Sequence, residues 1–369
     1  MRSFRFSIRA LRSVISAIVL CVCSVSAADD EFNDPRIKVT VGASVFVPAR
    51  FDAVVHQLSD GSLFVHGNRS TDGGRTWSNS PAEVRATFHD KWRQSAGCVL
   101  RDGTFIGLGS KAAFTRLDQR ILKVYRSDDN LQTIVGPTDS LLEIPRGTGG
   151  RSETGEYSGA ALVEHSLIER KDGTLIAGAY GWWKGDEEYS MLEKYVPEMN
   201  LYKTRVWVVG SNDRGKTWKT LGTPGYWPEL GPEGMGEPGM TELANGDLLM
   251  LLRNGEWGEP IFQTRSTDGG RTWSKPKTLP ATGVWPTPCL LSNGMLVVAV
   301  GRGRPPHYHL WVSPDGRGET WTSRTLIAEG GKGYASVVET APGQLVYSGY
   351  NKKKRALQLW HVRIEKVVE

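Results

Sequence analysis

Apolar and polar positions along this 369-residue chain alternate in short blocks, not at helical spacing. Six times an apolar run meets a polar turn containing one glycine and a second apolar run follows. The copies are VVHQLSDGSLFV at 54–65, CVLRDGTFIGL at 98–108, LIERKDGTLIAG at 167–178, MTELANGDLLMLL at 240–252, CLLSNGMLVVAV at 289–300 and VVETAPGQLVYS at 337–348. Runs of this length around a glycine turn predict β-hairpins. The turn residues Gly61, Gly103, Gly173, Gly246, Gly294 and Gly343 supply the left-handed backbone that other residues resist. Six hairpins imply six structural units.

A second repeat lies between the hairpins. STDGGRTW stands at 70–77 and again at 266–273, SNDRGKTW at 211–218, SPDGRGETW at 313–321, and a decayed form, SDDNLQTI, at 127–134. Its Ser and Asp can bond turn amides, its Gly takes the awkward conformation, and its Trp can wedge between sheet layers. The motif pairs no nucleophile with a base, and one site would not need five copies. It reads as a fastener. The 43 Gly, 13 Trp and 11 Tyr suit an all-β chain. Short sheets repeated radially predict a β-propeller, with PRIKVTV at 35–41 completing the last sheet.

The first residues change the charge argument. MRSFRFSIRALR, an apolar stretch and SVSA read as a secretory signal peptide over 1–27, leaving a single propeller domain over 28–369. The formal charge of +5 resides mostly in the four leader arginines. The mature chain is near neutral, which argues against a nucleic-acid partner. Cys98 and Cys289 are expected to be separate buried residues, not a disulfide.

The octapeptide resembles the Asp-box of the sialidase (neuraminidase) superfamily, and the resemblance covers roughly residues 36–367. It implies a six-bladed propeller and a particular chemistry. The anomeric carbon of the substrate bears a carboxylate, so the family uses a Tyr activated by Glu instead of an anionic nucleophile. Three arginines bind that carboxylate through their guanidinium forks, and an Asp serves as general acid/base.

In GEPGMTELANGDLLMLLRNGE at 236–256, the resemblance implies Glu237 as the base and Arg253 as a carboxylate-binding arginine. In KGYASVVET at 332–340 it implies Tyr334 as nucleophile. The usual place of the third arginine holds Trp311, and Arg302 in VGRGRPPHYH is the substitute. For the first arginine and the acid, local spacing nominates Arg93 and Asp118, whereas unit count nominates Arg50 and Asp52. The polar insertion WWKGDEEY at 182–189 reads as a surface loop with a candidate sugar-stacking rim, and NRS at 68–70 as a coincidental glycosylation sequon. No metal or cofactor is expected, and HYH at 307–309 lacks a partner cluster for metal. The expectation is a secreted or periplasmic monomer without membrane insertion: an exo-acting retaining glycosidase, an exo-alpha-sialidase or an enzyme for a related acidic sugar. A same-fold hydrolase or lyase on another polysaccharide, and a non-catalytic carbohydrate- or protein-binding propeller, are the alternatives.

Overall fold

A computed structural model describes residues 32–91, 96–116, 119–144, 150–151, 157–158, 162–186, 188, 202–255 and 259–367. The predicted leader, Arg93 and Asp118 lie outside the described residues.

Each predicted hairpin supplies the inner strand and the second strand of a four-stranded antiparallel meander. The inner strands are His56–Gln57, Gly97–Val99, Leu162–Glu169, Gly236–Glu242, Val284–Leu290 and Ala335–Ala341. They touch one another in succession, and Ala335–Ala341 returns to His56–Gln57. Four meanders are separate sheets, while the second and third merge where Thr217–Gly222 pairs in parallel with Val135–Glu143. Strand Ile37–Val47 joins the outer edge of the last meander, antiparallel to Ala356–Lys366. This is the strand expected from PRIKVTV, and it ties the start of the domain to its end.

The core follows from this arrangement. Each of six buried clusters among the described residues bridges two consecutive meanders, as where Ile176 and Val208 meet Met240 and Leu248. All six hairpin glycines take positive φ, from 69° at Gly343 to 89° at Gly103. A Cβ at Gly61, Gly173, Gly246 or Gly294 would meet nothing, so backbone conformation and not space requires glycine there.

All five fasteners form the same turn at the end of a third strand. Ser Oγ donates to the Asp carboxylate and accepts the amide four or five residues on, at 2.8 Å for Gly74 and 3.1 Å for Gly318. The decayed copy keeps these bonds through Ser127, Asp129 and Thr133. Its Asn130 and Leu131 hold φ of 57° and 59° without glycine. The Trp residues differ in burial. Trp218 is 1% exposed, while Trp77 and Trp273 are half-buried and bond the carbonyls of Gly74 and Gly270. Trp218→Ala is therefore expected to cost about 3 kcal/mol in urea denaturation, with Trp77→Ala costing less.

The fasteners also set an acid limit. Burial raises the Asp213 carboxyl, but bonds from the Thr217 hydroxyl and amide and from Ser211 outweigh it and hold it at about 2, below the ordinary 3.8. A depressed folded pKa adds stability above the unfolded value and loses it as pH falls through the folded one. The melting temperature is thus expected to drop between pH 3.8 and 2, and Asp213→Asn to flatten that drop. An equally steep acid limb in the variant would assign it elsewhere.

Topology sorts the chain by axial end. The hairpin glycines and fasteners share one end. The starts of inner strands and the ends of second strands share the other, where Glu237, Arg253, Arg302 and Tyr334 collect.

Candidate functional site

Glu237 and Trp285 occupy equivalent places in neighbouring blades. Each precedes a proline near the start of an inner strand, at a register shift against the second strand. Such bulges re-aim a side chain. Glu237 has φ 45° and Trp285 φ 54°, and Arg302 just past a second strand has φ 53°. Left-handed backbone at a non-glycine residue costs roughly 1 kcal/mol or more. All three strained residues converge on Tyr334.

The Tyr334 phenol donates to Glu237 Oε1 at 2.6 Å. Arg253 Nη1 donates to the same oxygen at 2.7 Å, and the Trp285 amide to Oε2 at 3.0 Å. Glu237 is 2% exposed, so its carboxylate is held by three donors away from bulk water. The Tyr334 ring stacks on Trp285, with centroids 4.2 Å apart and planes within 10°. The guanidinium carbon of Arg302 lies 5.1 Å from the phenol ring centroid. Arg302 is itself fixed by its Nε–H on the Lys332 carbonyl at 3.1 Å.

Beneath Trp285 its other stacking partner is His165, at 4.1 Å. Burial pulls this imidazole down to about 4. It is neutral at pH 7, and its Nε2, 3.1 Å from the Pro286 carbonyl, carries the proton. His165 also lines an axial cavity of about 460 Å³ walled by all six inner strands, together with His56, Cys98, Met240, Cys289 and Val338. The two cysteines are free thiols, as expected, and burial pushes Cys289 up to about 11. They are not the reactive kind.

The structure thus brings four predicted residues together: Tyr334, Glu237, Arg253 and Arg302. Arg253 is less available than expected. Its guanidinium bonds Glu237, Glu233 at 3.1 Å and the Gly255 carbonyl at 2.8 Å. Arg50 and Asp52 pair with each other at 3.2 and 3.3 Å, beside Phe51, whose ring is 5.5 Å from Tyr334. One loop reading needs correction. Trp182 and Trp183 are buried, Trp183 against Trp207 and beneath Arg205, so they form no sugar-stacking rim. The NRS sequon is coincidental, as expected: Asn68 is buried with its amide donating to the Pro48 carbonyl at 2.8 Å, which leaves no exposed glycosylation acceptor. Sequence reasoning passed over Trp285, Glu233 and His165. The shared residue-proline step in GEPGM and VWPTP was the available signal for Trp285.

These features define an all-β propeller of sialidase type with a phenol–carboxylate couple at one axial end. The model of the BNR repeat-like domain matches residues 113–347, more than half of the chain, and the protein belongs to that family. No curated protein matches the chain. Among solved structures it is similar to a protein of unknown function from Dyadobacter fermentans, with TM-score 0.64 and 16% identity over 90% of this chain and 100% of the other. A Hadza microbial sialidase gives TM-score 0.58 and 17% identity over 86% of this chain and 65% of the sialidase. The alpha-L-arabinofuranosidase of Fusarium graminearum bound to arabinobiose gives 0.56 and 15% over 90% of this chain and 94% of that one. Likeness at these identities establishes the fold. No helix among the described residues is long and apolar enough to cross a membrane.

Proposed function

We propose that this protein is an exported, exo-acting retaining glycosidase of the exo-alpha-sialidase type, working as a single propeller domain on a terminal acidic sugar. The observation that carries the reading is the 2.6 Å hydrogen bond from the Tyr334 phenol to Glu237. As the phenol oxygen attacks the anomeric carbon, its proton passes to Glu237. The glycosidic bond breaks, and the leaving oxygen takes a proton from the general acid, for which Asp118 is the nominee and Asp52 the alternative. Water, giving its proton to the conjugate base of that acid, then attacks from the face the leaving group vacated. The bond to the Tyr334 oxygen breaks and Glu237 returns its proton to the phenolate, so the configuration is retained. Arg302, with Arg253 and either Arg50 or Arg93, supplies positive charge for the substrate carboxylate.

A second reading, a hydrolase of a neutral sugar, is favoured by one observation: Glu237 and Glu233 already engage Arg253. The sialidase and the arabinofuranosidase on this fold are examples of the two readings. An aryl glycoside panel separates them. Release of fluorophore from an α-sialoside, with the α-anomer formed first by NMR, supports the first reading. Release only from an arabinofuranoside supports the second, and release from no glycoside leaves an enzyme of another polysaccharide or a binding propeller.

A further inference from the structure

We infer that the rim beside Tyr334 carries a separate subsite for an anionic sugar, built from Phe51 and the basic turn at 352–355. The inference rests on the glycan reading of the axial site, and its test does not depend on turnover.

Phe51 is 43% exposed. A lone exposed apolar residue is ordinary, but this one is held out deliberately by its surroundings. It sits in a turn closed by the Ala53 amide on the Arg50 carbonyl at 3.3 Å and by the Arg50–Asp52 ion pair at 3.2 Å. The preceding segment is pinned at Pro48 by the buried Asn68 amide. The ring lies 5.5 Å from Tyr334 and 6.3 Å from Tyr350, forming an aromatic ledge next to the candidate nucleophile. A fixed, half-uncovered ring suits the apolar face of a sugar, with dispersion and area burial as the gain.

The charge lies just beyond. Lys352, Lys353, Lys354 and Arg355 are consecutive and exposed in the turn between the second and third strands of the last blade. They share the axial end of Tyr334, because Ala335 pairs with Gly349 and the Tyr350 amide bonds the Tyr334 carbonyl at 3.3 Å. Lys354 lies over the Phe46 ring at 5.2 Å, and Lys352 and Lys353 have no ion pair among the described residues. The adjacent loops at 301–307 and 329–334 add Arg302, Arg304 and Lys332, with Glu329 the lone acid on them. A near-neutral mature chain therefore presents a strongly cationic rim at one place. A carboxylate- or sulfate-bearing sugar stacked on Phe51 has its anion within the field of this turn, an attraction that salt screens.

The test uses the full propeller carrying Tyr334→Phe, so that bound ligand persists. Titration calorimetry at low salt compares a disialyl oligosaccharide and an oligogalacturonate with 3′-sialyllactose and a neutral arabino-oligosaccharide. Binding of at least one of the two multiply charged ligands is expected to weaken at least tenfold with Lys352→Glu/Lys353→Glu and at least fivefold between low and high salt. Phe51→Ala is expected to weaken it at least tenfold without altering its salt dependence. Thermal melts check that the variants remain folded, and Lys352→Gln/Lys353→Gln provides a milder second pair expected to give an intermediate loss. Equal affinities for wild-type and charge-reversed rims, or no binding of either multiply charged ligand, overturns the inference. Charge-dependent binding without cleavage of any aryl glycoside by the wild type would sink the hydrolase reading and leave the subsite standing.

Discussion

Tyr334→Phe is expected to lower turnover of the responsive aryl glycoside by about a thousandfold or more, while the melting temperature scarcely moves. The substitution removes one oxygen. Glu237 keeps its bonds from Arg253 and the Trp285 amide, and the Phe ring can keep its stack on Trp285. A single hydrogen bond is worth about 1 kcal/mol to the fold, whereas loss of a nucleophile removes the covalent route. Glu237→Gln should be nearly as inactive, because a neutral amide cannot take the phenol proton. The decisive measurement is single-turnover kinetics with both variants beside wild type. Near-normal rates in Tyr334→Phe would transfer the nucleophile's role to another group, with Glu237 the first to examine.

The second large effect concerns stability. Arg253 is 8% exposed and stands between the carboxylates of Glu237 and Glu233, 2.7 and 3.1 Å away. Removing one partner of a buried ion pair leaves uncompensated charge and costs about 3–5 kcal/mol. Arg253→Met preserves much of the bulk and should reveal that cost in the urea midpoint. Arg253→Lys, which keeps the charge, should recover part of that loss, and no recovery would point to packing around the Arg253 stem instead of charge. The result also bears on substrate choice, since an arginine so firmly committed to protein acids has less to offer a substrate carboxylate.

Much of the fold was legible because it is carried by local rules repeated along the chain. Gly61, Gly103, Gly173, Gly246, Gly294 and Gly343 marked the hairpins, and all six have the predicted backbone. The serine–aspartate turns were readable even in SDDNLQTI, whose Leu131 keeps a left-handed conformation without glycine. The site was less legible. Glu237 and Tyr334 are 97 residues apart and meet only because their inner strands wall one axis. Nothing local announces that encounter, and a family resemblance had to nominate it. Trp285 was missed because its importance depends on a bulge in the blade next to Glu237. Glu233 was missed because its partner, Arg253, had been assigned to the substrate. Trp182 and Trp183 misled for a related reason: a polar insertion can still fold its aromatic start inward, with Asp186 and Arg205 covering it.

The pairing of Ile37–Val47 with Ala356–Lys366 has a consequence for biogenesis. The last sheet needs segments at opposite ends of the propeller, so it cannot assemble while the ribosome still holds the later one. The nascent chain must wait with its first long strand unmatched, its hydrogen-bonding edge open to wrong neighbours. Slow release of the distal strand would then be the step at which aggregation competes with maturation.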